Sequence, residues 1–412
     1  MKLTGNRTKL RNQRATKNTD WRRALVAAVA LALLVQLGVA SLKAASVPGT
    51  WKVIPGIASN PSAFPVGQDI AVVSGNDIWQ VGYATTGHWN GAAWSAITPA
   101  GNFVVLSGVA AVKTNDVWAV GTVSDGTNGL YNAVTEHWDG SAWSIVPAPN
   151  GSTNPSGLTS SQLVSVTAVS SNNVFAVGWT DTSVNTSSFQ GTLIEHWDGS
   201  KWTVIPSPNA KGSSQNTLTG VAAINANDIW AVGYTLTSNN QTLTMHWNGS
   251  KWSIVPSPNG PYGNWLSGVT ALATNNVWAV GTTNNGGNTL VLHWNGSSWK
   301  VVPSPNVEYD YNFLASVSAV SANDIWAAGT STYTYYTGEG YPNTTYYTLF
   351  EHWDGSAWSI VPGANTMGAT AQGILYGVAA VSTDDVWAVG RNGRANSGIH
   401  VRASTRSEMG KP

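Results

Sequence analysis

Residues 137–147 read His-Trp-Asp-Gly-Ser-Ala-Trp-Ser-Ile-Val-Pro, and close copies of this stretch surround His88, His196, His246, His293 and His352. In all six copies the tryptophan of the His-Trp pair is followed five residues later by another tryptophan. Between the two tryptophans lies Asp-Gly or Asn-Gly, a strong hairpin signal because a type I′ turn needs positive φ at both central residues. The stretch therefore predicts two strands joined by a tight type I′ turn.

Two further segments precede each copy and complete a repeat of about 50 residues. In one repeat the four segments are Gly-Val-Ala-Ala-Ile-Asn from residue 220, Asp-Ile-Trp-Ala-Val-Gly at 228–233, Thr-Leu-Thr-Met-His-Trp at 242–247 and Trp-Ser-Ile-Val-Pro-Ser-Pro-Asn at 252–259. Each is short, rich in Val, Ile, Thr and Trp, and bounded by Gly, Pro, Asn or Ser. Those are strand signals, so each repeat predicts four strands.

The aromatic residue of the second segment occurs seven times, at Trp79, Trp118, Phe175, Trp230, Trp278, Trp326 and Trp387. The tryptophan of the fourth segment also occurs seven times, at Trp51, Trp94, Trp143, Trp202, Trp252, Trp299 and Trp358. Large aromatic side chains at repeated strand positions predict packing between repeats.

His400 falls where a seventh His-Trp pair is expected, so we predict that every histidine occupies one structural repeat position and that none binds a metal. The Asp or Asn before each second strand, such as Asp77, is predicted to bond its own backbone in a turn.

The repeat predicts an all-β fold, a seven-bladed β-propeller of four-stranded blades. The chain begins with a lone fourth segment at 50–55 and ends after a third segment at 399–401. We therefore expect closure by the N-terminal strand pairing with the last blade, one strand with three. The expected domains are a basic region at 1–23, a signal peptide or membrane anchor at 24–46, the propeller at 47–401 and a tail at 402–412.

The Val-Trp-Ala-Val-Gly and His-Trp-Asp-Gly-Ser-x-Trp motifs resemble kelch-like blades, and they are similar to the tectonin-like repeats of bacterial exported β-propeller proteins. The resemblance covers about residues 47–401. It departs from the kelch pattern in having one glycine, as at Gly121, Gly178 and Gly233, where a pair is usual. Propellers host many functions, so the resemblance implies a fold and a repeat architecture more than an activity.

Charge and composition limit the function classes. Residues 1–43 hold nine Lys/Arg and one Asp, whereas residues 44–412 hold eleven Lys/Arg and nineteen Asp/Glu. The basic start followed by the apolar run 24–40 is typical of export, with an extracytoplasmic remainder that is either secreted or anchored through 24–40 if uncleaved. The acidic remainder argues against a nucleic-acid partner. The chain has no cysteine, and no cofactor is expected.

Strand parity places the loops after the second and fourth strands on one face, and these loops vary most in length. Aromatic residues collect there, and rigid rings with polar tips suit a glycan or protein ligand. The candidate ligand-binding residues are Tyr83, Trp179, Tyr234, Tyr262, Trp265, Tyr309, Tyr311, Tyr333, Tyr335, Tyr336 and Tyr341. In the alternative interpretation, the Tyr/Thr-rich stretch near residue 335 only extends a hairpin.

The leading hypothesis is an exported, monomeric, non-catalytic binding module. A polysaccharide hydrolase or lyase using Glu308, Asp310 or Glu339 is a second possibility, because paired carboxylates can cleave glycosidic bonds. A structural envelope protein is a third. Catalysis by Ser-His-Asp would need a histidine outside the repeat, and the sequence offers none.

Overall fold

The computed structural model describes residues 51–54, 67–124, 126, 130–150, 159–184, 187–260, 263–283, 287–308, 311–336, 342–362, 373–392 and 398–404. All of them belong to one compact unit, Pro48–Pro412. The predicted basic region and the predicted signal or anchor at 24–46 lie outside the described residues. Within the described ranges, no helix is long and apolar enough to cross a membrane.

The described residues form strands and turns, with no helix among them. The first strands are β1 (Lys52–Ile54), β2 (Gly67–Ser74), β3 (Asp77–Gly82), β4 (Thr85–Trp89), β5 (Trp94–Ile97), β6 (Val104–Lys113), β7 (Asp116–Ser124), β8 (Tyr131–Trp138) and β9 (Trp143–Ile145). Then follow β10 (Thr159–Ser170), β11 (Asn173–Val184), β12 (Ser187–Trp197), β13 (Trp202–Val204), β14 (Gln215–Asn225), β15 (Asp228–Leu236), β16 (Asn240–Trp247) and β17 (Trp252–Ile254). The last are β18 (Asn264–Ala273), β19 (Asn276–Thr283), β20 (Thr289–Trp294), β21 (Trp299–Val301), β22 (Tyr311–Ser321), β23 (Asp324–Tyr336), β24 (Pro342–Trp353), β25 (Trp358–Ile360), β26 (Gly373–Ser382), β27 (Asp385–Asn392) and β28 (Gly398–Ser404).

The strands assemble into antiparallel four-strand units, each beginning with a first strand such as β2 and ending with a short fourth strand such as β5. The units β10–β13 and β14–β17 share one sheet through a single parallel bridge between Gln190 and Gln215. β1 pairs with β28, from Lys52 opposite Arg402 to Ile54 opposite His400, and lies at the edge of the sheet that contains β26 and β27. The architecture is an all-β propeller.

The hairpin between the third and fourth strands differs from the predicted type I′ turn. Between β8 and β9 the Asp139 carboxylate accepts hydrogen bonds from the backbone N–H groups of Ser141 (2.8 Å) and Ala142 (3.0 Å). Gly140 has φ of 100°, but Asp139 is not among the described residues with positive φ. The side-chain oxygen replaces a backbone turn acceptor, so the loop needs a left-handed conformation only at the glycine.

Tryptophan contacts join successive units, as predicted. The indole of the second strand meets the fourth-strand indole of the following unit edge-on, for example Trp79 with Trp143 at 5.8 Å between ring centroids and 86° between planes. Trp326 makes the same contact with Trp51, which precedes β1, and Trp387 makes it with Trp94 of the β2–β5 unit. Edge-to-face rings add about 0.5–1.5 kcal/mol to the burial of area. The hydrophobic core therefore lies between units.

In six units the repeated histidine lies against the second-strand aromatic ring and bonds the residue that begins the second strand. His88 lies 4.3 Å from the Trp79 ring, and its Nε2 is 2.8 Å from Asp77 Oδ1. Asp77 Oδ2 also accepts a hydrogen bond from Thr114 of the next unit at 2.5 Å. The predicted turn role of this Asp is therefore incomplete, because its carboxylate links the third strand and the neighbouring unit.

The prediction that His400 holds the seventh histidine position is wrong. In the register of the last sheet, Arg402 stands opposite Trp387, as His88 stands opposite Trp79, and His400 lies two residues earlier, opposite Val389. Arg402 donates from Nε and Nη2 to the two oxygens of Asp385, at 2.7 and 2.9 Å, and covers the Trp387 ring at 5.0 Å. A guanidinium satisfies the same acceptor and stacks on the same ring face, so the motif changes while its geometry is kept.

The first strands of the units approach closely at a β-bulge that recurs in each of them. Residues with side chains at this position bond the next first strand: Asp69 Oδ2 accepts from Val109 N at 3.0 Å, and Ser165 Oγ accepts from Val221 N at 3.3 Å. Elsewhere the position is glycine. In chain order the residues are Asp69, Gly108, Ser165, Gly220, Gly268, Ser316 and Gly377, and every residue with a side chain is followed by a glycine.

The repeated Ser-Pro-Asn after the fourth strand fastens the connection to the next unit. Asn259 Oδ1 accepts from the backbone N–H of Thr242 at 2.7 Å, and Asn306 Oδ1 does so from Thr289 at 2.8 Å. The Thr242 and Ser257 hydroxyls are 2.8 Å apart. These bonds tie the connecting loop to the third strand of its own unit, so the loops of this end start from fixed points.

We predict that Gly108→Ala destabilises the protein. A Cβ at residue 108 would lie 2.9 Å from Ser165 Cα and 3.0 Å from Val164 O. Backbone atoms must shift to relieve this contact, and such overpacking costs about 1–3 kcal/mol. Gly260→Ala is the matched control, since its Cβ meets only the Asn264 side chain at 3.6 Å. Thermal unfolding followed by circular dichroism measures both; equal melting temperatures for the two variants would contradict the prediction.

Candidate functional site

One end of the sheets carries most of the predicted site residues. It is the end where the second strand of each four-strand unit finishes, the third begins and the connection from the preceding unit arrives. We call it the aromatic end. Tyr83, Tyr333, Tyr335 and Tyr336 are exposed there. The half-buried residues are Trp179, Tyr234, Trp265 and Tyr311, and the predicted residues outside the described ranges are Tyr262, Tyr309 and Tyr341.

The structure brings some of these residues together and distributes others over separate units. Tyr333 and Tyr335 lie side by side on β23, with ring centroids 6.1 Å apart and 27° between the ring planes. Tyr83, Trp179, Tyr234, Trp265 and Tyr311 each belong to a different four-strand unit. The candidate site is therefore a rim of aromatic groups with one denser segment.

That segment is the hairpin of β23 and β24. Its strands pair in register out to Tyr336 opposite Pro342, so the alternative of an extended hairpin describes its backbone. Tyr336 is nevertheless 74% exposed and Tyr333 is 45% exposed. Residues opposite each other in a strand pair share a face, which places Thr345 beside Tyr333 and Asn343 beside Tyr335. The hairpin thus presents rings, an amide and a hydroxyl together.

A second exposed segment, at the loop after β5, was not predicted. Phe103 is 76% exposed and has φ of 55°, a left-handed conformation that is unusual for a bulky residue. Its loop is anchored by the fully buried Glu136, which accepts from the backbone N–H groups of Ala100 and Gly101 at 2.9 Å each. Burial raises the pKa of Glu136, against the opposing effect of these two hydrogen bonds. The backbone next to Phe103 also bonds the neighbouring unit, from Ala84 N to Val104 O at 2.8 Å.

Sequence reasoning missed three exposed rings of the aromatic end, Phe103, Tyr131 and Phe189. Tyr131 begins β8 and Phe189 lies near the start of β12. Strand parity would have placed all three at this end, because each adjoins a loop after a second or fourth strand. The usable signal was the scarcity of phenylalanine, with only six in the chain. Phe103 lies in such a loop, and Phe189 is the third residue of the strand that follows one.

A cavity of about 650 Å³ lies among the first strands, from β2 to β26. Its lining includes the polar side chains of Gln68, Asp69, Ser107, Thr219 and Tyr376. Burial raises the pKa of Asp69 to about 6, although backbone hydrogen bonds from Val109 and Ile70 act in the opposite direction. Burial raises the pKa of Tyr376, an effect that Arg391 opposes and that Tyr346 of the neighbouring hairpin adds to.

The carboxylates do not assemble into a visible catalytic pair in the described ranges. Glu308 is exposed, and Asp310 and Glu339 lie outside the described residues. Glu195 and Glu351 are fully buried between units. Burial raises the pKa of Glu195 to about 8 and that of Glu351 to about 8, the latter opposed by the Thr289 hydroxyl.

Metal binding finds no support in the part of the chain that the structure describes, where no group of three or more His, Cys, Asp or Glu residues could hold an ion. The six repeated histidines, His88, His137, His196, His246, His293 and His352, each bond an Asp or Asn. Where the partner is Asn173 or Asn276, burial lowers the pKa of His196 and of His293, the former opposed by Asp198.

Comparison with known proteins identifies the fold class. No protein-family model matches the sequence, and no curated protein matches it. Solved propeller structures do match: YCF48 bound to D1 peptide aligns with a TM-score of 0.54 and 15% identity over 88% of this chain and 100% of that chain. YCF48 from Cyanidioschyzon merolae gives 0.52 and 15% over 86% and 99%, and the RRP9 WD40 repeats give 0.55 and 10% over 87% and 99%. The chain is a β-propeller repeat protein.

We predict that the buried carboxyls make stability depend on pH. A folded-state pKa of about 8 against an ordinary value of 4.5 means that Glu195 and Glu351 keep their protons in the folded state. The folded state is then most favoured below pH 4.5, and this contribution is lost as pH rises toward about 8. Each pKa unit corresponds to about 1.4 kcal/mol.

The double variant Glu195→Gln/Glu351→Gln should remove this dependence and melt at a higher temperature than the parent at alkaline pH. Glu308→Gln is the control, because Glu308 is exposed. Melting temperatures between pH 5 and 9 measure the effect. A parent protein and a double variant with parallel pH profiles would show that these carboxyls are not the titrating groups.

Proposed function

We propose that the protein is a non-catalytic binding module whose ligand is a polypeptide held at the aromatic end. The supporting observation is that all exposed large aromatic side chains of the described residues occur there: Tyr83, Phe103, Tyr131, Phe189, Tyr333, Tyr335 and Tyr336. The exposed large aliphatic residues, such as Ile145 and Val301, lie instead on the fourth strands. Aromatic residues that are held rigidly and remain exposed are the usual anchors of protein interfaces.

The stiffness of the frame adds to this argument. Binding costs less when the contact residues are already ordered. The Tyr333–Tyr336 segment is part of a continuous hydrogen-bonded hairpin, and the Phe103 loop is held by the buried Glu136. One structural neighbour, YCF48, is described with a bound peptide. That ligand belongs to YCF48, but it shows a use of this kind of fold that suits the proposal.

A neutral glycan is the second candidate, favoured by the absence of charged residues on the described strands of the exposed hairpin. The described residues 325–336 and 342–350 contain no Asp, Glu, Lys or Arg. Stacked tyrosines beside Asn343 and Thr345 offer ring faces and hydrogen-bonding groups of the kind that suit sugars. The hydrolase or lyase alternative would need Glu339 or Asp310, and the envelope-protein alternative would need no ligand at all.

Three finer features accompany the proposal. We propose seven blades closed as one strand plus three, supported by the pairing of β1 with β28 and by the contact of Trp387 with Trp94. The kelch-like character of the repeats and the monomeric state are also proposals. Export, by a segment at 24–46 that is cleaved or kept as an anchor, is proposed from the basic and apolar order of the sequence.

The triple variant Tyr333→Ala/Tyr335→Ala/Tyr336→Ala should weaken binding at least about tenfold, because truncating interface anchors typically costs more than 1 kcal/mol. The measurement selects binders from a random peptide display library and, in parallel, from a neutral glycan array, and then titrates the best binder of each type. Val204→Ala/Val301→Ala is the control, since both are exposed apolar residues of the fourth strands.

The outcomes separate the candidate functions. Peptide binders lost only in the tyrosine variant support the proposal, and glycan binders lost in the same way transfer it to the second candidate. Binders that survive the tyrosine variant but not the control variant would place the site on the fourth strands and refute the proposal. Release of reducing ends from a polysaccharide, abolished by Glu339→Gln, would instead favour the enzyme.

A further inference from the structure

Arg391 occupies a special position of the repeat. The residue directly after the second-strand glycine begins the aromatic end in each unit, where the other units carry Tyr83, Thr122, Trp179, Tyr234, Thr282 and Thr330. Arg391 follows Gly390 on β27 and stands opposite Ile374 and Gly398. Arginine is otherwise absent between Arg23 and this residue, so the last unit brings the first arginine of the repeats to this end.

The guanidinium of Arg391 is incompletely satisfied. The residue is half-buried, and its Nε atom is buried without a hydrogen-bond partner. None of the ion pairs among the described residues involves it. The segments before β26 and after β27, residues 363–372 and 393–397, contain no Asp or Glu in their sequence. A buried donor on a charged group without an acceptor is costly, which points to an acceptor supplied from outside the chain.

Arg402 of the same sheet is an arginine whose hydrogen-bond donors have an acceptor. Its Nε and Nη2 donate to the two oxygens of Asp385. This two-point geometry is the preferred way in which a guanidinium holds a carboxylate. Arg391 has the same donor groups and lacks the carboxylate.

The surroundings of Arg391 fit a ligand group. Tyr376, which lines the cavity among the first strands, lies on β26 two residues from Ile374, the residue opposite Arg391. Arg391 lowers and Tyr346 of the hairpin raises the pKa of Tyr376. Tyr376 and Tyr346 are half-buried. A phenolic hydroxyl close to a guanidinium can donate to the same anion, so Tyr376 is the candidate second donor beside Arg391.

We propose that Arg391 binds a carboxylate of the polypeptide ligand, either an Asp or Glu side chain or a C-terminus. The inference rests on the proposed function and names a chemical feature of its partner. A single carboxylate is favoured over a polyanion such as an acidic polysaccharide, because residues 44–412 carry eleven Lys/Arg against nineteen Asp/Glu and a chain with many negative charges would be repelled.

The test follows the arginine Nε–H resonances of the full chain by NMR during titration with sodium acetate. An acetylated and amidated Gly-Glu-Tyr-Gly peptide and its Gln counterpart are titrated next. We expect the Arg391 resonance, assigned by its disappearance in Arg391→Gln, to shift saturably with acetate and with the Glu peptide, and to respond about tenfold more weakly to the Gln peptide. Arg402 is the internal control, because Asp385 already occupies its donors.

The outcomes distinguish this inference from the proposed function. An Arg391 resonance that ignores acetate and both peptides overturns the carboxylate site, even if peptides selected on the aromatic end still bind. Tighter binding of oligogalacturonate than of the Glu peptide keeps the carboxylate chemistry and overturns the polypeptide source. Arg391→Lys, which retains charge without the two-point geometry, should bind the Glu peptide more weakly than the parent; equal binding would overturn the predicted two-point geometry.

Discussion

The edge-on contact between the second-strand indole of one unit and the fourth-strand indole of the next is the interaction on which the other features depend. A single antiparallel sheet of four strands cannot bury its apolar faces alone. Trp118 packs against Trp202 at 5.3 Å, and Trp230 packs against Trp299 at the same centroid distance. Each unit therefore supplies one ring to the interface on either side of it. Because the rings are large and rigid, these contacts fix the angle between sheets, and the stacked histidines then hold each indole from the other side.

In this frame, the residues that stabilise the fold are separate from the residues proposed to bind a ligand. The short turns between first and second strands and between third and fourth strands are tied by side-chain oxygens, as Asp139 ties its turn. At the opposite end the loops are free to differ in length, yet they leave from clamped points such as Asn259. The Tyr333 hairpin and the Phe103 loop therefore vary in sequence without disturbing the interfaces below them. Binding residues of repeat proteins are commonly presented in this way, on variable loops over a constant scaffold.

The sequence predicts the strand order, the packing tryptophans and the aromatic end, because each depends on residue types that recur at fixed spacing. Prediction from the sequence fails where a different type of side chain takes the same structural position. Arg402 replaces a histidine because both can stack on Trp387 and bond Asp385, and counting histidines selects His400 instead. The turn type was missed because the Asp139 carboxylate substitutes for a backbone acceptor. Phe103 and the unpaired Arg391 Nε depend on tertiary burial, which no local pattern encodes.

The bulge position of the first strands limits how the number of repeats can change. Every residue with a side chain there, Asp69, Ser165 or Ser316, is followed in the next unit by glycine. A tandem duplication of the unit that contains Ser165 would set two serines against each other, whereas a duplicated Gly220 unit would reproduce the contact that Gly220 already makes with Gly268. The close approach at the bulge therefore limits which repeats can be duplicated in tandem. Units with glycine at this position can be copied without placing two side chains against each other.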